Sequence, residues 1–147
     1  MSSEVIFTKH PDAASTMEAM AVGFAATLSS NAGRGGLSVN SMLAWIRTPI
    51  RLGQCLILMS ASSQPLGMAV WAYVSEETHL RLARGEQDLP TLEDWNEGTI
   101  FWIVDIVAPY GHIRDLAAEL RRTQGATHRS VHYFRKGCAR RIRIGGG

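Results

Sequence analysis

The sequence has few cysteines. Cys55 and Cys138 are the only two cysteines among 147 residues, and Cys55 lies inside an apolar run. Two thiols are too few for a disulfide framework, and their spacing matches no zinc site, so they indicate reduced cysteines in a cytosolic protein. The sequence therefore argues against a disulfide-stabilised secreted domain and against a zinc-binding module.

Long hydrophobic runs are also absent. The stretch from Ala13 to Ser30 carries one charged residue, Glu18, but it consists largely of Ala, Ser, Thr and Gly. A spanning helix needs about 20 predominantly apolar residues, and a cleaved leader needs a basic start before an unbroken apolar core. Asp12 and Glu18 interrupt any such core. We therefore expect no membrane span, and we expect the protein to act in the cytoplasm.

No linker, repeat or low-complexity tract divides the chain. Hydrophobic residues make up 46% and charged residues 19% of the sequence, which is typical of a soluble globular protein. We predict a flexible N-terminus at residues 1–10, one α/β domain at residues 11–144 and a disordered tail at residues 145–147.

Charge is distributed unevenly. Residues 76–110 carry two basic and eight acidic residues, a net −6, whereas residues 111–147 carry nine basic and two acidic residues, a net +7. A basic region attracts anionic partners such as acidic proteins, nucleic acids and anionic lipids. No recognised nucleic-acid-binding motif is present, so a solvated basic face and a docking surface for an acidic protein are the alternatives that we favour over nucleic-acid binding.

Apolar periodicity and turn residues predict a mixed sheet with flanking helices. The first predicted helix begins at Pro11. The second covers residues 38–47, and Pro49 is expected to end or kink it. Two more helices are predicted, from Ser75 to Arg84 and over residues 112–123. The predicted strands cover residues 54–60 and 67–74 as an antiparallel hairpin, the apolar run that ends near Pro109, and residues 130–134 and 138–144. Residues 31–36 and 86–94 are predicted loops, the first glycine-rich and the second acidic.

Asp105 is the single carboxylate in the apolar strand before Pro109. Period-two alternation predicts one face shared by Phe101, Ile103, Asp105 and Val107. An ionised carboxylate removed from water costs several kcal/mol unless hydrogen bonds or a cation compensate it. We therefore expect Asp105 either to serve a site in a cleft or to anchor a loop amide or an arginine.

The residues around Asp105 form a recognisable pattern. Trp95-Asn96-Glu97-Gly98 leads into the strand, and Ala108-Pro109-Tyr110-Gly111 follows it. This pattern resembles the signature of the RTX toxin-activating (hemolysin-activating) lysine acyltransferase family, in which Phe usually stands at the position of Tyr110. Similarity extends to residues 49–54, 65–72 and 75–77, so it covers roughly residues 40 to 122.

The resemblance implies a fold and an activity. The expected fold is a single GNAT-like α/β domain with a mixed, largely antiparallel sheet flanked by helices, usually in a homodimer. The implied activity is transfer of a fatty acyl chain from acyl carrier protein to internal lysines of a protoxin in the cytoplasm. Acyl carrier protein supplies the acyl group in this family, and no further cofactor or metal is expected.

One residue departs from the family pattern. The family's activity depends on a strand aspartate, which maps to Asp105, and on a histidine in a Ser-Ser-Pro-x-His-Arg segment. Residues 29–34 read Ser-Ser-Asn-Ala-Gly-Arg, so Gly33, or Arg34 with a one-residue shift, stands where the histidine is expected. An active acyltransferase and a catalytically impaired member that acts as an adaptor or assembly factor are both open readings.

Another histidine is a candidate to replace the missing one, because imidazole exchanges protons near neutral pH and can also act as a nucleophile. His112 follows Asp105 by seven residues and opens a predicted helix, so we predict Asp105 and His112 as catalytic residues. His10 is a second candidate, and His79 is expected on a solvated helix face. The apolar surfaces near three aromatic residues are candidates to house the acyl chain, namely those near Trp71, Phe101 and Trp102.

Overall fold

A computed structural model describes residues 3–6, 14–85, 95–124, 130–135 and 138–143. Within these residues, six strands form one sheet in the order β1-β2-β3-β4-β5-β6. The strands are β1 Ser3–Ile6, β2 Cys55–Ser60, β3 Pro65–Val74, β4 Ile100–Val107, β5 Ser130–Arg135 and β6 Cys138–Arg143. Only the β4–β5 pairing is parallel among the described strand pairs. The predicted mixed, largely antiparallel α/β class is confirmed, and it is compatible with a GNAT-like fold.

Four α-helices flank the described part of this sheet. They are α1 Ala14–Ser29, α2 Val39–Leu52, α3 Glu76–Ala83 and α4 Ile113–Gln124. Ser38 and Ser75 precede α2 and α3, and the side chain of each accepts a hydrogen bond from a backbone amide three residues later. Such caps satisfy one of the free amides at a helix start. Because β4 and β5 are parallel, the chain must cross over between them, and α4 provides that crossover.

The two faces of the sheet are covered by different helices. On one face, Leu28 of α1, Ile46 of α2 and Leu82 of α3 belong to a buried cluster that includes Val70 and Trp102. On the other face, α4 contributes to a second cluster, whose buried members are Leu56, Leu58, Ala69, Trp71, Phe101, Leu116, Leu120 and Val131. Strands β2, β3 and β4 are therefore buried on both sides, as continuous apolar sequence predicts.

The segment before β4 is held tightly against β3. The amide of Tyr73 donates to the carbonyl of Trp95, and the amide of Gly98 donates back to the carbonyl of Tyr73. Gln54 is buried, and its side-chain amide donates to the carbonyl of Trp95 at 2.8 Å. A Cβ atom on Gly98 would overlap the carbonyl of Val74. This close approach explains why the Trp-x-x-Gly pattern requires glycine at its fourth position.

A β-bulge in β4 overturns the predicted face of Asp105. Val70 of β3 pairs with Asp105, but the next residue of β3, Trp71, pairs with Ile103, so Val104 is an extra residue. Directly opposed residues in antiparallel strands point to the same side of the sheet. Asp105 therefore lies on the face of Val70, and the prediction that it shares a face with Ile103 is wrong, because simple alternation does not hold across a bulge.

The end of the second predicted helix is corrected. Helix α2 continues through Pro49 to Leu52, and Gly53, in the left-handed conformation, caps it. Ser3–Ile6 forms β1 and pairs with β2, while the domain bounds at residues 1–10, 11–144 and 145–147 stay predictions. The predicted start of the first helix at Pro11, the acidic loop at 86–94, and His10 lie outside the described residues.

Candidate functional site

The loop after α1 brings its last residue to the exit of β4. Ser30–Arg34 forms a π-helical turn, in which Gly33 has a φ of 82°. This left-handed conformation is rarely adopted by residues with side chains. The backbone at position 33 therefore suits glycine, and Arg34 is the residue whose side chain reaches Asp105.

Arg34 and Asp105 form a bidentate ion pair. The Nη1 atom of Arg34 lies 2.5 Å from Oδ2 of Asp105, and Nη2 lies 3.0 Å from Oδ1. The side chain of Arg34 is 37% exposed and that of Asp105 is 20% exposed. The hydrogen bond to Asp105 raises the pKa of Arg34 above its ordinary value, so the guanidinium stays charged. The structure thus meets the expectation that Asp105 anchors an arginine.

The ion pair leaves part of the guanidinium available. A guanidinium has five N–H donors, and a bidentate carboxylate uses two of them. Within the described part of the chain, the hydrogen bonds of the Arg34 side chain are the two to Asp105. Three donors on a partly exposed side chain are therefore free to bind an oxygen of a ligand.

Tyr110 connects the same loop to the start of α4. The Nδ2 atom of Asn31 donates a hydrogen bond of 2.5 Å to the hydroxyl of Tyr110. The ring of Tyr110 meets the ring of His112 edge-on, with 6.4 Å between ring centroids. The Nδ1 atom of His112 is buried and has no hydrogen-bond partner in the described structure. His112 therefore adjoins the site through Tyr110, and its catalytic role stays a prediction.

Exposed apolar side chains occur in the segments around the Arg34–Asp105 pair. They are Leu37, Val39, Tyr110 and Ile113. Trp71, Phe101 and Trp102 are themselves at most 2% exposed, so these three side chains offer no open surface to an acyl chain. Trp102 also packs on the opposite face of the sheet from the other two. The exposed set is the better candidate for contact with an apolar ligand.

A second polar cluster lies near the start of β4. Nε1 of Trp102 donates to Nδ1 of His79 at 3.1 Å. The ring of His132 stacks on Trp102 and meets His79 edge-on, with centroid distances of 5.2 and 4.6 Å. The prediction that His79 lies on a solvated helix face is wrong, because its ring packs against Trp102. Sequence alone gave no signal for this cluster, since its members come from three separate elements.

Cys55 is not a candidate to carry an acyl group. It is 5% exposed, and burial raises the pKa of its thiol to about 12. Because the thiolate is the nucleophilic form of cysteine, this thiol is unreactive at neutral pH.

Two classes of site find no support in the described residues. None of the helices there combines the length and the hydropathy needed to cross a bilayer. The same residues contain no cluster of three or more His, Cys, Asp or Glu side chains that is suited to a metal ion.

Comparison with known proteins supports the resemblance noted in the sequence. The profile of the RTX toxin acyltransferase family matches residues 15–144. The chain is 30% identical over 84 residues to the lysine-acyltransferase RtxC of Vibrio cholerae serotype O1, covering 57% of this chain and 54% of that protein. It is 32% identical over 100 residues to the protein-lysine palmitoyltransferase CyaC of Bordetella bronchiseptica, covering 65% and 52%. The chain spans about half the length of the curated relatives that it matches.

Proposed function

Because the chain belongs to the RTX toxin acyltransferase family, we propose that it transfers a fatty acyl group to lysine side chains of a protoxin-like protein. The observation that carries this proposal is the Arg34–Asp105 pair, which presents free N–H donors at a partly exposed position, between chain segments that also carry exposed apolar side chains. The relatives' names, which include lysine-acyltransferase and protein-lysine palmitoyltransferase, support this reaction class.

The proposed reaction is aminolysis of a thioester. The lysine nitrogen attacks the thioester carbonyl, a C–N bond forms, the C–S bond breaks, and the thiolate leaves and takes up a proton. Arg34 would stabilise the negative charge that develops on the carbonyl oxygen, and Asp105 would hold the guanidinium in place. His112 would accept the proton that the amine loses, since imidazole acts as a base near neutral pH.

The donor and the assembly state belong to the same proposal. We propose acyl carrier protein as the acyl donor, because the C-terminal basic region suits an acidic partner and Arg141 of β6 is exposed. Electrostatic attraction of this kind raises association rates. A homodimer, with action in the cytoplasm, is the assembly and location that we propose from the family.

An acyl-transfer assay tests the proposal. The full chain is incubated with acyl carrier protein bearing a labelled acyl chain and with candidate substrate proteins, and label on lysine is measured by mass spectrometry. Arg34→Ala should lower the rate about 100-fold or more if Arg34 stabilises the transition state. Arg47→Ala is the matched control, since it removes a 50% exposed arginine of α2 that lies outside the basic region. If the unmodified chain transfers no label, the proposal fails.

A second function is a non-catalytic adaptor or assembly factor. The observation that favours it is that the sequence has Gly33, or Arg34 with a one-residue shift, where the family histidine is expected, and that Arg34 occupies both oxygens of Asp105. The variant Arg34→His distinguishes the two functions. Gain of acyl transfer by the variant from an inactive parent would identify an impaired site, whereas an active parent with no gain in the variant would support the first proposal.

A further inference from the structure

Two imidazoles and a guanidinium meet where α3, β5 and β6 come together beside β4. His132 of β5 lies directly opposite Arg141 of β6 in the strand register. His79 of α3 packs edge-on against His132 at 4.6 Å between ring centroids. The indole of Trp102 closes the other side of His132, at 5.2 Å and nearly parallel. Side chains from three other elements therefore converge on the imidazole of His132.

Within the described residues, the charged groups that lower the pKa of His132 are all basic. Burial first, and then the neighbouring His79 and Arg141, lower the pKa of His132 below its ordinary value. The acids of α3, Glu76 and Glu77, are exposed, and no ion pair in the described residues joins either to these imidazoles. The cluster thus holds basic groups without a described counter-charge.

The donors of the cluster are oriented by Trp102. Because the indole N–H donates to Nδ1 of His79, the proton of neutral His79 lies on Nε2. The ring nitrogens of His132 make no hydrogen bond to the residues that the structure describes. Arg141 is exposed and supplies a planar fork of donors. Each of the three side chains can therefore donate to a ligand oxygen.

An anion fits this arrangement better than a metal ion. A cation would be repelled by Arg141, and no third His, Cys, Asp or Glu completes a ligand set in the described structure. We propose that His79, His132 and Arg141 form a binding site for a phosphate group, in which Arg141 binds two oxygens and the imidazoles donate to the others. This site is separate from the Arg34–Asp105 pair and does not depend on acyl transfer.

Histidine NMR tests the site on the intact chain. The side-chain resonances of His79 and His132 are followed during titration with inorganic phosphate, at constant ionic strength set with chloride. Phosphate should shift both resonances saturably and should raise the titration midpoint of His132, because a bound anion favours the protonated ring. His112, at the other end of β4, serves as the internal reference and should not move.

Variants and a second probe sharpen the test. Arg141→Gln should weaken phosphate binding about tenfold through loss of a charge-assisted pair, whereas Arg114→Gln should leave it unchanged. A parallel titration with dimethyl phosphate distinguishes the possible sources of the phosphate group. Binding of both probes indicates a phosphodiester ligand. Binding of inorganic phosphate alone indicates free phosphate or a monoester. If neither probe shifts His132 more than chloride does, or if both arginine variants weaken binding equally, the proposal is overturned.

Discussion

The two ends of β4 differ in how their charged groups are paired. At its exit, Asp105 is matched by Arg34 through two hydrogen bonds, and positive and negative charge compensate each other. At its start, Trp102 packs against His79 and His132, and the neighbouring charged residue, Arg141, is also basic. Within the described residues, β4 therefore carries an ion pair at one end and, at the other, a basic cluster without an acidic partner.

The difference shows how environment sets the role of a polar group. In the Arg34–Asp105 pair, both carboxylate oxygens already accept hydrogen bonds from Arg34. A ligand must therefore bind the N–H donors of Arg34 that the pair does not use. The histidine cluster is stabilised instead by an indole donor and by ring contacts, and its remaining polar atoms have no described partner. We infer that the first end positions a reacting group and that the second end binds an anion.

Removal of the indole at the start of β4 should have the largest effect. Trp102 is 1% exposed and supports both histidines. Trp102→Ala should lower the free energy of unfolding by about 3–5 kcal/mol, because it leaves a large cavity. Urea unfolding followed by circular dichroism measures this. Trp102→Phe should cost clearly less, and a loss below about 1 kcal/mol for the alanine variant would contradict the packing described.

The ion pair at the exit of β4 should show an intermediate effect. A double-mutant cycle with Arg34→Gln and Asp105→Asn should give a coupling free energy of about 1–2 kcal/mol, reduced from a fully buried pair because both side chains contact solvent. The control cycle uses Glu18→Gln and Arg51→Gln, whose arginine is 63% exposed, and it should give about 0.5 kcal/mol. Equal coupling free energies in the two cycles would contradict the prediction that the Arg34–Asp105 pair is the stronger of the two.

Lowering the pH should reduce the free energy of unfolding through protonation of His132. The folded state lowers the pKa of His132 below the ordinary 6.5. Above pH 6.5, His132 is neutral in the folded and the unfolded state, and its contribution to the free energy of unfolding is fully present. Below pH 6.5, the unfolded chain binds the proton first, so the free energy of unfolding falls until the pH reaches the folded-state pKa. His132→Gln should therefore lose less stability than the parent between about pH 7.5 and pH 5.5. Arg114→Gln should keep the parental slope, and identical slopes for all three proteins would contradict the prediction.

The smallest effect is expected at Tyr110. Its hydroxyl accepts a hydrogen bond from Asn31, but both residues are exposed. Tyr110→Phe, which restores the usual family residue, should cost about 0.5 kcal/mol or less of unfolding free energy. Thermal unfolding measures this change, with Asn31→Ala as the matched variant. A loss above about 2 kcal/mol would mean that this contact holds the loop more strongly than its exposure implies.

Local patterns predicted much of the fold. Continuous apolar sequence located β2, β3 and β4, helical periodicity located α4, and Ser75 marked the start of α3. Two predictions of local structure failed because of single residues. Val104 is extra in β4 and turned Asp105 to the other face, and Pro49 was accommodated in the last turn of α2.

The candidate site was predicted only in part. The sequence identified Asp105 and narrowed the family histidine position to Gly33 or Arg34. It did not identify Arg34 as the partner, because the two residues are 71 positions apart, and it placed His79 in solvent. Contacts of this kind depend on how α1 and α3 pack on the sheet, which local periodicity does not encode.

The sequence by itself determined where most helices and strands form and that a carboxylate in an apolar strand needed compensation, because side-chain alternation, caps and solvation are local properties. Only the tertiary structure decided which cation compensates Asp105, which face it occupies, and which side chains surround His132. These outcomes depend on strand register and on the packing of distant segments, where one inserted residue reverses the direction of a side chain.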